Sequence, residues 1–457
     1  MLTKTQLKSV AVAVVVAAAA VTGCRKNNTD EKFNGPARAG LPSKPQKHIP
    51  VDGNSLITVK FLSKDTVWLI DGVSYVKPGN TLTIEAGTFL TSGTAKTYND
   101  PAYGPQTLKG VLVVPRNARL VANGTAAAPI VFTSPKATGR LAGDFGGVVL
   151  LGNAPTNQTN PRVEGIPDPL PASVNVNFGG TNAADSSGSL KYVRIEFPGY
   201  LLSPNNEING LTLAGVGNKT VLSNIQVSWS KDDAYEFFGG TVNADHLVAL
   251  STEDDDFDFD FGYQGTIQYG ISLKDVKATY SLSGSPATTD ANGLESDNDG
   301  TGSAATPTTK PVLRNFTFVG LAVKDSAANR LKYGNRWRRR SALDIQNSVI
   351  IGYNTGVAFE NITTTGSHFS NNVVHGYTTG VVVTPAGATP AGYVGNTFFT
   401  GLSNQVQFSG SPFYTGAAYN PSVLKSATGG NIATKGAIPA SGAVWTLGWT
   451  QFNPQGY

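Results

Sequence analysis

The fold is decided by one stretch of sequence, Glu253-Asp254-Asp255-Asp256-Phe257-Asp258-Phe259-Asp260-Phe261. It holds six carboxylates and three phenylalanines in nine residues, and the two types alternate through its second half. Alternation with a period of two is typical of a β-strand, because successive side chains point to opposite faces of a sheet. The pattern predicts that Asp254, Asp256, Asp258 and Asp260 share one face and that the phenylalanines share the other.

An echo of this stretch lies 22 residues earlier in the chain. At that shift the matching residues are Asp232 with Asp254, Asp233 with Asp255, Tyr235 with Phe257, Glu236 with Asp258, and Phe237 with Phe259. A sequence that repeats both its acidic and its aromatic face at one period predicts strands stacked like the turns of a coil. We therefore expect the aromatic rings in a core stack and the carboxylates in an outer stripe.

Further repeats run through the chain from about Ser55, with a period that drifts between 22 and 30 residues. The stretch 81–90 returns as 111–120, and 347–357 returns as 371–381. Each unit holds two or three short strands with Gly or Asn turns, which is too short for a propeller blade and lacks the leucine spacing of horseshoe repeats. These units predict an all-β fold, a parallel β-helix with long loops, whose rungs are about 4.8 Å apart.

The composition agrees with this fold class. The chain has 52 glycines and only 14 % charged residues, which suits many short strands joined by turns, and no amphipathic helical run follows the N-terminus. Asparagines recur just before predicted strands, at Asn224, Asn315, Asn347, Asn371 and Asn396. We expect them to form a ladder in which each amide bonds the backbone of the neighbouring rung.

The first residues read as a targeting segment. Lys4 and Lys8 precede an apolar run of twelve residues, 10–21, which is too short to span a bilayer comfortably. The run ends in Val21-Thr22-Gly23-Cys24, which resembles a bacterial lipobox and implies cleavage before Cys24 and lipidation of that residue, the only cysteine of the chain. The alternative is an ordinary secretory signal in which the cysteine occurs by chance.

This division gives the expected organisation of the chain. Residues 1–23 are predicted to be a lipoprotein signal peptide, 24–50 a flexible tether rich in Lys, Asn, Pro and Gly, and 51–457 the β-helix domain. Removing Lys4 and Lys8 lowers the formal net charge from +4 to +2, so the anchored protein is nearly neutral. A nearly neutral chain is not expected to bind nucleic acid.

Two longer patterns resemble a known group of proteins. The stretch 122–134, ANGTAAAPIVFTS, is similar to a turn-and-strand unit of bacterial right-handed β-helix proteins. The pattern from Trp68-Leu69-Ile70-Asp71-Gly72 through the acidic stretch to 293–300, GLESDNDG, resembles uncharacterised Bacteroidota lipoproteins with a pectate-lyase-like parallel β-helix. The resemblance covers nearly all of the mature chain. It implies a lipid-anchored protein of the bacterial cell envelope, on the periplasmic or the surface face of the outer membrane.

The acidic stripe is the predicted metal site. Carboxylates on one strand face lie about 6.6–6.8 Å apart, and those of the next rung lie about 4.8 Å away, so they repel unless a cation intervenes. Ca²⁺ is the natural candidate because it accepts six to eight hard oxygen ligands in flexible geometry. The predicted ligands are Asp232, Asp233, Glu236, Asp254, Asp256, Asp258 and Asp260. The alternative is a solvated acidic face without a metal.

Two later segments extend or complement this stripe. Glu295, Asp297 and Asp299 repeat the acidic alternation and would either lengthen the stripe or form a separate loop site. A basic segment contributes a predicted glycan-binding surface, made of Arg336, Trp337, Arg338 and Arg340. The alternative for the arginines is a ladder or pairing with the acidic stripe, from which they are expected to lie three or four rungs away, roughly 15–20 Å.

The function expected from these residues is non-catalytic binding of a glycan or protein partner at the envelope, with Ca²⁺ in the acidic rungs. A Ca²⁺-dependent polysaccharide lyase or a glycoside hydrolase acting on an acidic polysaccharide is the alternative. The histidine motif of polygalacturonases argues against the hydrolase, because it is imperfect at Val374-His375-Gly376 and falls after Arg330, in the wrong order. The β-helix fold is shared by enzymes and adhesins, so it does not choose between these functions.

Overall fold

The computed structural model describes residues 40–203, 206–275, 278–280, 291–321, 331–401, 424–426 and 432–456. Within these ranges the chain forms 32 strands, a 3-10 turn at Pro454–Gly456 and no α-helix. Twenty-eight of the strands belong to one continuous hydrogen-bonded system, and every pairing inside it is parallel. The remaining four strands form two antiparallel hairpins, Lys96–Asp100 with Gly104–Leu108 and Tyr200–Ser203 with Asn206–Ile208.

The parallel strands wind into three sheets. Sheet 1 consists of Leu56–Ile57, Val73–Val76, Val111–Val114, Gly147–Leu151, Leu211–Ala214, Tyr235–Phe238, Phe257–Asp260, Glu295–Ser296 and Tyr333–Arg338. Sheet 2 contains Phe61–Leu62, Thr81–Ile84, Arg119–Asn123, Val312–Arg314, Asp344–Gln346, His368–Ser370 and Gly392–Val394. Sheet 3 contains Gln46–His48, Val67–Ile70, Phe89–Ser92, Ile130–Thr133, Thr317–Val319 and Thr397–Thr400.

Six long strands bend from one sheet into the next. Four of them join sheet 2 to sheet 3, namely Gly188–Glu196, Val221–Ser228, Ala244–Leu250 and Thr266–Leu273. The other two, Val349–Glu360 and Val373–Thr384, join sheet 3 to sheet 1. The chain thus visits sheets 1, 2 and 3 in order on every turn, and the predicted right-handed parallel β-helix is confirmed.

The register confirms two of the predicted repeats and corrects a third. Tyr235 pairs with Phe257 at the predicted shift of 22 residues, and Val349 pairs with Val373 at the shift of 24. The predicted match of 81–90 with 111–120 is wrong, because Thr81 pairs with Arg119, a shift of 38 residues. This turn is longer because it carries the inserted hairpin between Lys96 and Leu108.

The turn between sheets 2 and 3 is a recurrent left-handed kink. Positive φ angles occur there at Tyr192, Asn224, His246, Tyr269, Asn315, Asn347 and Asn371. Asparagine tolerates this conformation better than most residues, which explains its recurrence. The amide ladder itself lies one residue further on: Asn372 Oδ1 accepts from Ser348 N at 2.9 Å, and Asn396 Oδ1 accepts from Asn372 N at 3.0 Å. Of the five predicted ladder residues, only Asn396 takes that role.

The interior is a continuous apolar column that contains the predicted aromatic stack. Tyr235 stacks on Phe257 with ring centroids 5.1 Å apart, and Phe237 stacks on Phe259 at 5.0 Å. Phe257 also meets the edge of Phe316 at 5.4 Å. All five rings are fully buried. Burial of such large apolar side chains is the main stabilising term of this fold.

Segments at the two ends of the described chain complete the domain. The first strand, Gln46–His48, pairs with Val67–Ile70, so the β-helix begins slightly before the expected boundary at residue 51. The segment 432–456 runs back along the outside of sheet 3, where Gly436 N donates to Asn347 O at 2.8 Å and Arg140 Nη1 donates to Pro454 O at 2.9 Å. It covers apolar side chains that would otherwise face water.

Candidate functional site

The acidic residues lie on the outer face of sheet 1, where the parallel register aligns them from rung to rung. Glu236 pairs with Asp258, Asp258 with Glu295, and Glu295 with Arg336. Their strand neighbours, such as Phe237 and Phe259, point into the core, so alternation sends the carboxylates outward. The predicted outer stripe is therefore present, and Glu295 extends it by one rung.

A second row of carboxylates lies at the corner that precedes sheet 1. Asp232 and Asp233 occupy this corner in one rung, and Asp254 and Asp255 occupy it in the next. Asp233 Oδ1 accepts from Asp255 N at 2.8 Å, and the Asp255 carboxylate in turn accepts from Asn292 N at 2.6 Å. Each aspartate thus caps the backbone of the following rung, which holds the corner row in register with the stripe.

The two rows line one cleft with a volume of about 980 Å³. Twelve carboxylates face it, against the two guanidinium groups of Arg338 and Arg339. The acidic residues of this cleft, called the acidic cleft below, are Glu164, Glu207, Asp232, Asp233, Glu236, Asp254, Asp255, Asp258, Asp260, Glu295, Asp297 and Asp299. Such an excess of one charge in a walled groove focuses a strongly negative potential.

Three groups of carboxylates in the cleft are close enough together to bind a metal ion. Their oxygens lie within 4.8 Å of one another in each of three triads: Asp232, Asp233 and Asp254; Asp233, Glu236 and Asp258; Asp255, Asp258 and Glu295. The middle triad shares Asp233 with the first and Asp258 with the third. Among the described residues, the buried Oδ1 atom of Asp258 has no hydrogen-bond donor. An unsatisfied acceptor at the junction of two triads fits a bound cation.

Burial and mutual repulsion raise the pKa values of these carboxyl groups. Burial is the main cause for Asp232, Asp233, Asp258 and Glu295, and neighbouring carboxylates add to it in every case. The same causes raise the pKa of Glu236, and the pKa of Asp260 is raised by burial and by Asp297. At neutral pH such groups must either keep protons or be compensated by cations.

One pair of carboxyl groups shares an amide donor. Burial raises the pKa of Glu164, as it does that of Glu236. The amide of Asn209 donates to both carboxyl groups, at 3.2 Å in the case of Glu164 Oε1. Glu164 belongs to the loop that follows Gly147–Leu151, and it adds a carboxyl group that the repeats do not supply.

Asp256 departs from the predicted outer stripe. It is fully buried in the interior, where Asp256 Oδ1 lies 3.1 Å from the equally buried Nζ of Lys274. Ser272 Oγ donates to Asp256 Oδ2 at 2.5 Å, and Thr252 also donates to the carboxylate. The reason is that the strand begins at Phe257, so the alternation does not extend back to Asp256. The other six predicted ligands all line the acidic cleft.

The basic segment lies nearer to the stripe than expected. Arg336 is two rungs from Asp258, because Asp258 pairs with Glu295 and Glu295 pairs with Arg336. Arg336 Nε lies 3.0 Å from Glu360 Oε2, and Arg338 Nε lies 2.8 Å from Asp297 Oδ1. Arg336 and Arg338 therefore pair with acidic residues, which was the alternative to a glycan surface.

Trp337 cannot be part of a binding surface. Its side chain is fully buried, since it alternates with the outward Arg336 and Arg338 and points into the core. Arg339 and Arg340 do not continue the alternation, because both have positive φ angles, 48° and 66°. Both are exposed, and Arg339 Nη1 lies 2.6 Å from Asp297 Oδ2, beside Arg338.

The acidic cleft also contains carboxylates that the sequence did not predict as metal ligands. Asp255 has a signal in the sequence, because it matches Asp233 in the 22-residue echo. Glu164 and Glu207 have none, since they come from a loop and from the hairpin strand Asn206–Ile208 and reach the cleft only through the fold. Glu295, Asp297 and Asp299 join the same cleft, which decides between the two predicted arrangements of these residues.

Comparison with known proteins identifies the family. The profile of the pectate-lyase-like beta helix domain family matches residues 55–450, and the chain belongs to this family. None of the curated proteins compared with it matches.

Two solved β-helix structures are similar to the chain. One is the receptor-binding protein of bacteriophage Det7, a podoviral tailspike in a myovirus, at 10% identity and a TM-score of 0.24, with 80% of this chain and 73% of that chain covered. The other is PfbA, a surface adhesin of Streptococcus pneumoniae, at 11% identity and a TM-score of 0.22, with 77% and 74% covered. Likenesses this remote carry no functional argument.

The predicted lipidation site, Cys24, lies outside the described residues. Within the described part of the chain, no helix has the length and hydrophobicity needed to cross a membrane.

Proposed function

We propose that this protein is a non-catalytic, lipid-anchored β-helix protein of the bacterial cell envelope that binds divalent cations in its acidic cleft and uses the loaded cleft to bind a glycan. The observation that carries the proposal is the set of three overlapping carboxylate triads, whose oxygens lie within 4.8 Å of one another. Carboxylates at this spacing suit Ca²⁺, which takes many oxygen ligands and tolerates irregular geometry.

The sharing of ligands limits how the cleft fills. An ion in the first triad and an ion in the third use different carboxylates, whereas an ion in the middle triad would take Asp233 from one and Asp258 from the other. Two ions in the outer triads therefore use all seven carboxylates except Glu236, which accepts a hydrogen bond from the Asn209 amide. We expect a stoichiometry of two ions per chain.

The proposal of a binding role, and not of lyase catalysis, rests on the electrostatics of the arginine nearest to a triad. Arg338 contacts Glu295, a ligand of the third triad, and a lyase would use such a residue as its base. Burial alone would lower the pKa of Arg338, but Glu295 and Asp297 together raise it above its usual value. A guanidinium held in its charged form by two carboxylates is a poor base.

A Ca²⁺-dependent lyase or glycoside hydrolase for an acidic polysaccharide is the second candidate, favoured by the contact of Arg338 with Glu295 and by the many carboxyl groups in the cleft. A glycan array probed with and without EDTA tests the binding role, and incubation of the bound glycans with the protein and Ca²⁺ tests catalysis. We expect binding that EDTA abolishes and no release of unsaturated or shortened products. Products that accumulate with turnover would establish the enzyme instead.

The envelope location is supported by the lipobox-like Val21-Thr22-Gly23-Cys24. Metabolic labelling with a fatty-acid analogue in a bacterial host is expected to label the wild-type chain and not Cys24→Ser. Equal labelling of both chains would exclude a lipid on Cys24.

A further inference from the structure

A second pocket adjoins the acidic cleft and has the opposite charge. Its volume is about 480 Å³, and it is called the arginine pocket below. Its lining consists of Thr301, Gly302, Arg336, Arg338, Arg339, Arg340, Glu360 and Asn361. Thr301, Arg338 and Arg339 line both cavities, so the acidic cleft and the arginine pocket form one groove with a negative and a positive end.

One arginine of this pocket has no ion-pair partner among the described residues. Arg336, Arg338 and Arg339 contact three carboxylates between them, namely Glu295, Asp297 and Glu360. Arg340 also lines the pocket, and among the described residues no carboxylate lies within ion-pair distance of it. Arg340 therefore supplies the pocket with a guanidinium group that no carboxylate of the described residues neutralises by direct contact.

The backbone at Arg339 and Arg340 adopts a conformation that arginine does not favour. Ser341 N donates to Arg338 O at 2.9 Å, which closes a turn, and both central residues have positive φ angles. Turns with two positive φ values are dominated by Gly, Asn and Asp, because a larger side chain is strained there. The next rung fixes this turn, since Arg340 N donates to Asn361 O at 2.8 Å.

The strain has a consequence for the direction of the side chains. Continued strand alternation would send Arg339 to the side opposite Arg338, where the buried Trp337 lies. The left-handed turn places Arg339 and Arg340 on the pocket side instead. A strained backbone that is kept in place by the surrounding structure points to a functional use of the side chains it carries.

We propose that the arginine pocket is an anion subsite, in which Arg339 and Arg340 bind a carboxylate or sulfate group of the glycan. Guanidinium groups bind both planar carboxylates and sulfate-type oxyanions through paired N–H donors. This inference rests on the proposed function, from which it takes the binding of a glycan. It adds that the glycan is anionic. Cations in the acidic cleft and arginines in the pocket would then hold successive acidic groups of one chain.

The test uses small anions, so that the acidic cleft is not needed for binding. Inorganic sulfate and monomeric galacturonate are titrated against the mature protein in EDTA at constant ionic strength, with binding followed by ligand-observed NMR and by competition between the two probes. The variant is R339N/R340G, which gives the turn the residues it favours. The control is R119Q, which removes an exposed arginine from sheet 2.

We expect wild type and R119Q to bind at least one probe with affinities equal within two-fold, and R339N/R340G to bind it at least ten-fold more weakly. The melting temperature of R339N/R340G is expected to equal or exceed that of wild type, because the turn is relieved of strain. Weaker anion binding together with an undiminished melting temperature would show that the two arginines serve binding and not the stability of the fold. Preference for galacturonate or for sulfate supports the subsite and assigns its group.

The proposal is overturned if wild type binds neither anion, or if R339N/R340G binds as well as R119Q. A lower melting temperature of R339N/R340G would also count against it, since the arginines would then serve the fold. Because no divalent cation is present, failure of the acidic cleft to bind Ca²⁺ leaves this result unchanged, and the two proposals fail separately.

Discussion

Two pairs of rungs in sheet 1 are alike inside and different outside. The pair Tyr235–Phe238 and Phe257–Asp260 and the pair formed by the ends of Val349–Glu360 and Val373–Thr384 both direct alternate side chains toward the core, where Val381 and Val383 of the last rung are partly buried. The outward column through these rungs changes completely, and its paired residues in order are Thr212, Glu236, Asp258, Glu295, Arg336, Ala358 and Val382.

The comparison separates what the fold requires from what it tolerates. The late rungs stack in the same register without a carboxylate in this column, so the β-helix does not need the acidic stripe. The acidic rungs carry carboxyl groups whose pKa values burial raises, which is an unfavourable arrangement for a protein without bound cations. A costly feature that the fold does not need points to function.

The largest effect is expected where the two pairs of rungs agree. Phe257→Ala and Phe359→Ala each remove a fully buried ring from one of the two pairs, and each is expected to lower the free energy of unfolding by about 3–5 kcal/mol. Chemical denaturation measures both. Phe61→Ala, at a side chain 53% exposed, is the control and should change little. A small loss at Phe257 with a large one at Phe61 would contradict the assignment of the core.

A smaller effect is expected outside sheet 1, at the turn between sheets 2 and 3, where the same two regions carry different side chains. Asn372 follows the left-handed kink of its rung and its amide bonds Ser348 N at 2.9 Å and Ile345 O at 3.1 Å, whereas Leu247 holds the corresponding place in the acidic region. Asn372→Ala should cost about 1–3 kcal/mol, because it leaves buried backbone groups without partners. Thermal unfolding measures this loss. The control is Asn371→Gly, which keeps the left-handed kink and leaves the Asn372 amide in place, so it should be less destabilising than Asn372→Ala.

The acidic rungs alone should show a characteristic pH dependence. Their carboxyl groups have folded-state pKa values raised by burial above the unfolded values, so the folded chain binds more protons than the unfolded one. Stability without divalent cations is therefore fully present below pH about 4 and is lost as the pH rises through the folded pKa values. The D233N/D258N variant should lose less stability than the wild type over the same rise in pH. A stability that rises with pH in EDTA would be the opposite sign and would contradict the raised pKa values.

The smallest effect is expected in the outward column of the late rungs. Val382→Thr changes a half-buried residue that pairs with Ala358, and it should alter stability by no more than about 0.5 kcal/mol. Its melting curve is compared with that of Val374→Thr, which places a hydroxyl in the core of the same strand. Equal losses would mean that this face is not as tolerant as the comparison implies.

Much of the fold was predictable from periodicity. The echo of Tyr235 in Phe257 gave the correct register, because equal rungs place equivalent residues directly above one another. The 38-residue spacing between Thr81 and its partner Arg119 was not predictable. The hairpin inserted after Phe89–Ser92 lengthens that rung without changing the strands on either side. Periodicity reports strands, and insertions between them are invisible to it.

The candidate site was predictable only where strand alternation applies. It placed Asp258 and Asp260 outward correctly, but it failed for Asp256, which precedes the strand and pairs with Lys274 inside. Strand alternation also cannot say which face is inward, so Trp337 was assigned to a surface although it is core. Glu164 and Glu207 reach the cleft through tertiary structure alone, and no local sequence pattern predicts their position there.

The central claim is that the acidic cleft binds divalent cations, and titration calorimetry with Ca²⁺ in two buffers of different ionisation enthalpy tests it most directly. The account predicts saturable binding of two ions per chain, with protons released because carboxyl groups of raised pKa must ionise to become ligands. It predicts no binding to D233N/D258N, which removes a ligand from every triad. Absence of heat from the wild-type chain, with no change in its melting temperature on adding Ca²⁺, would contradict the claim.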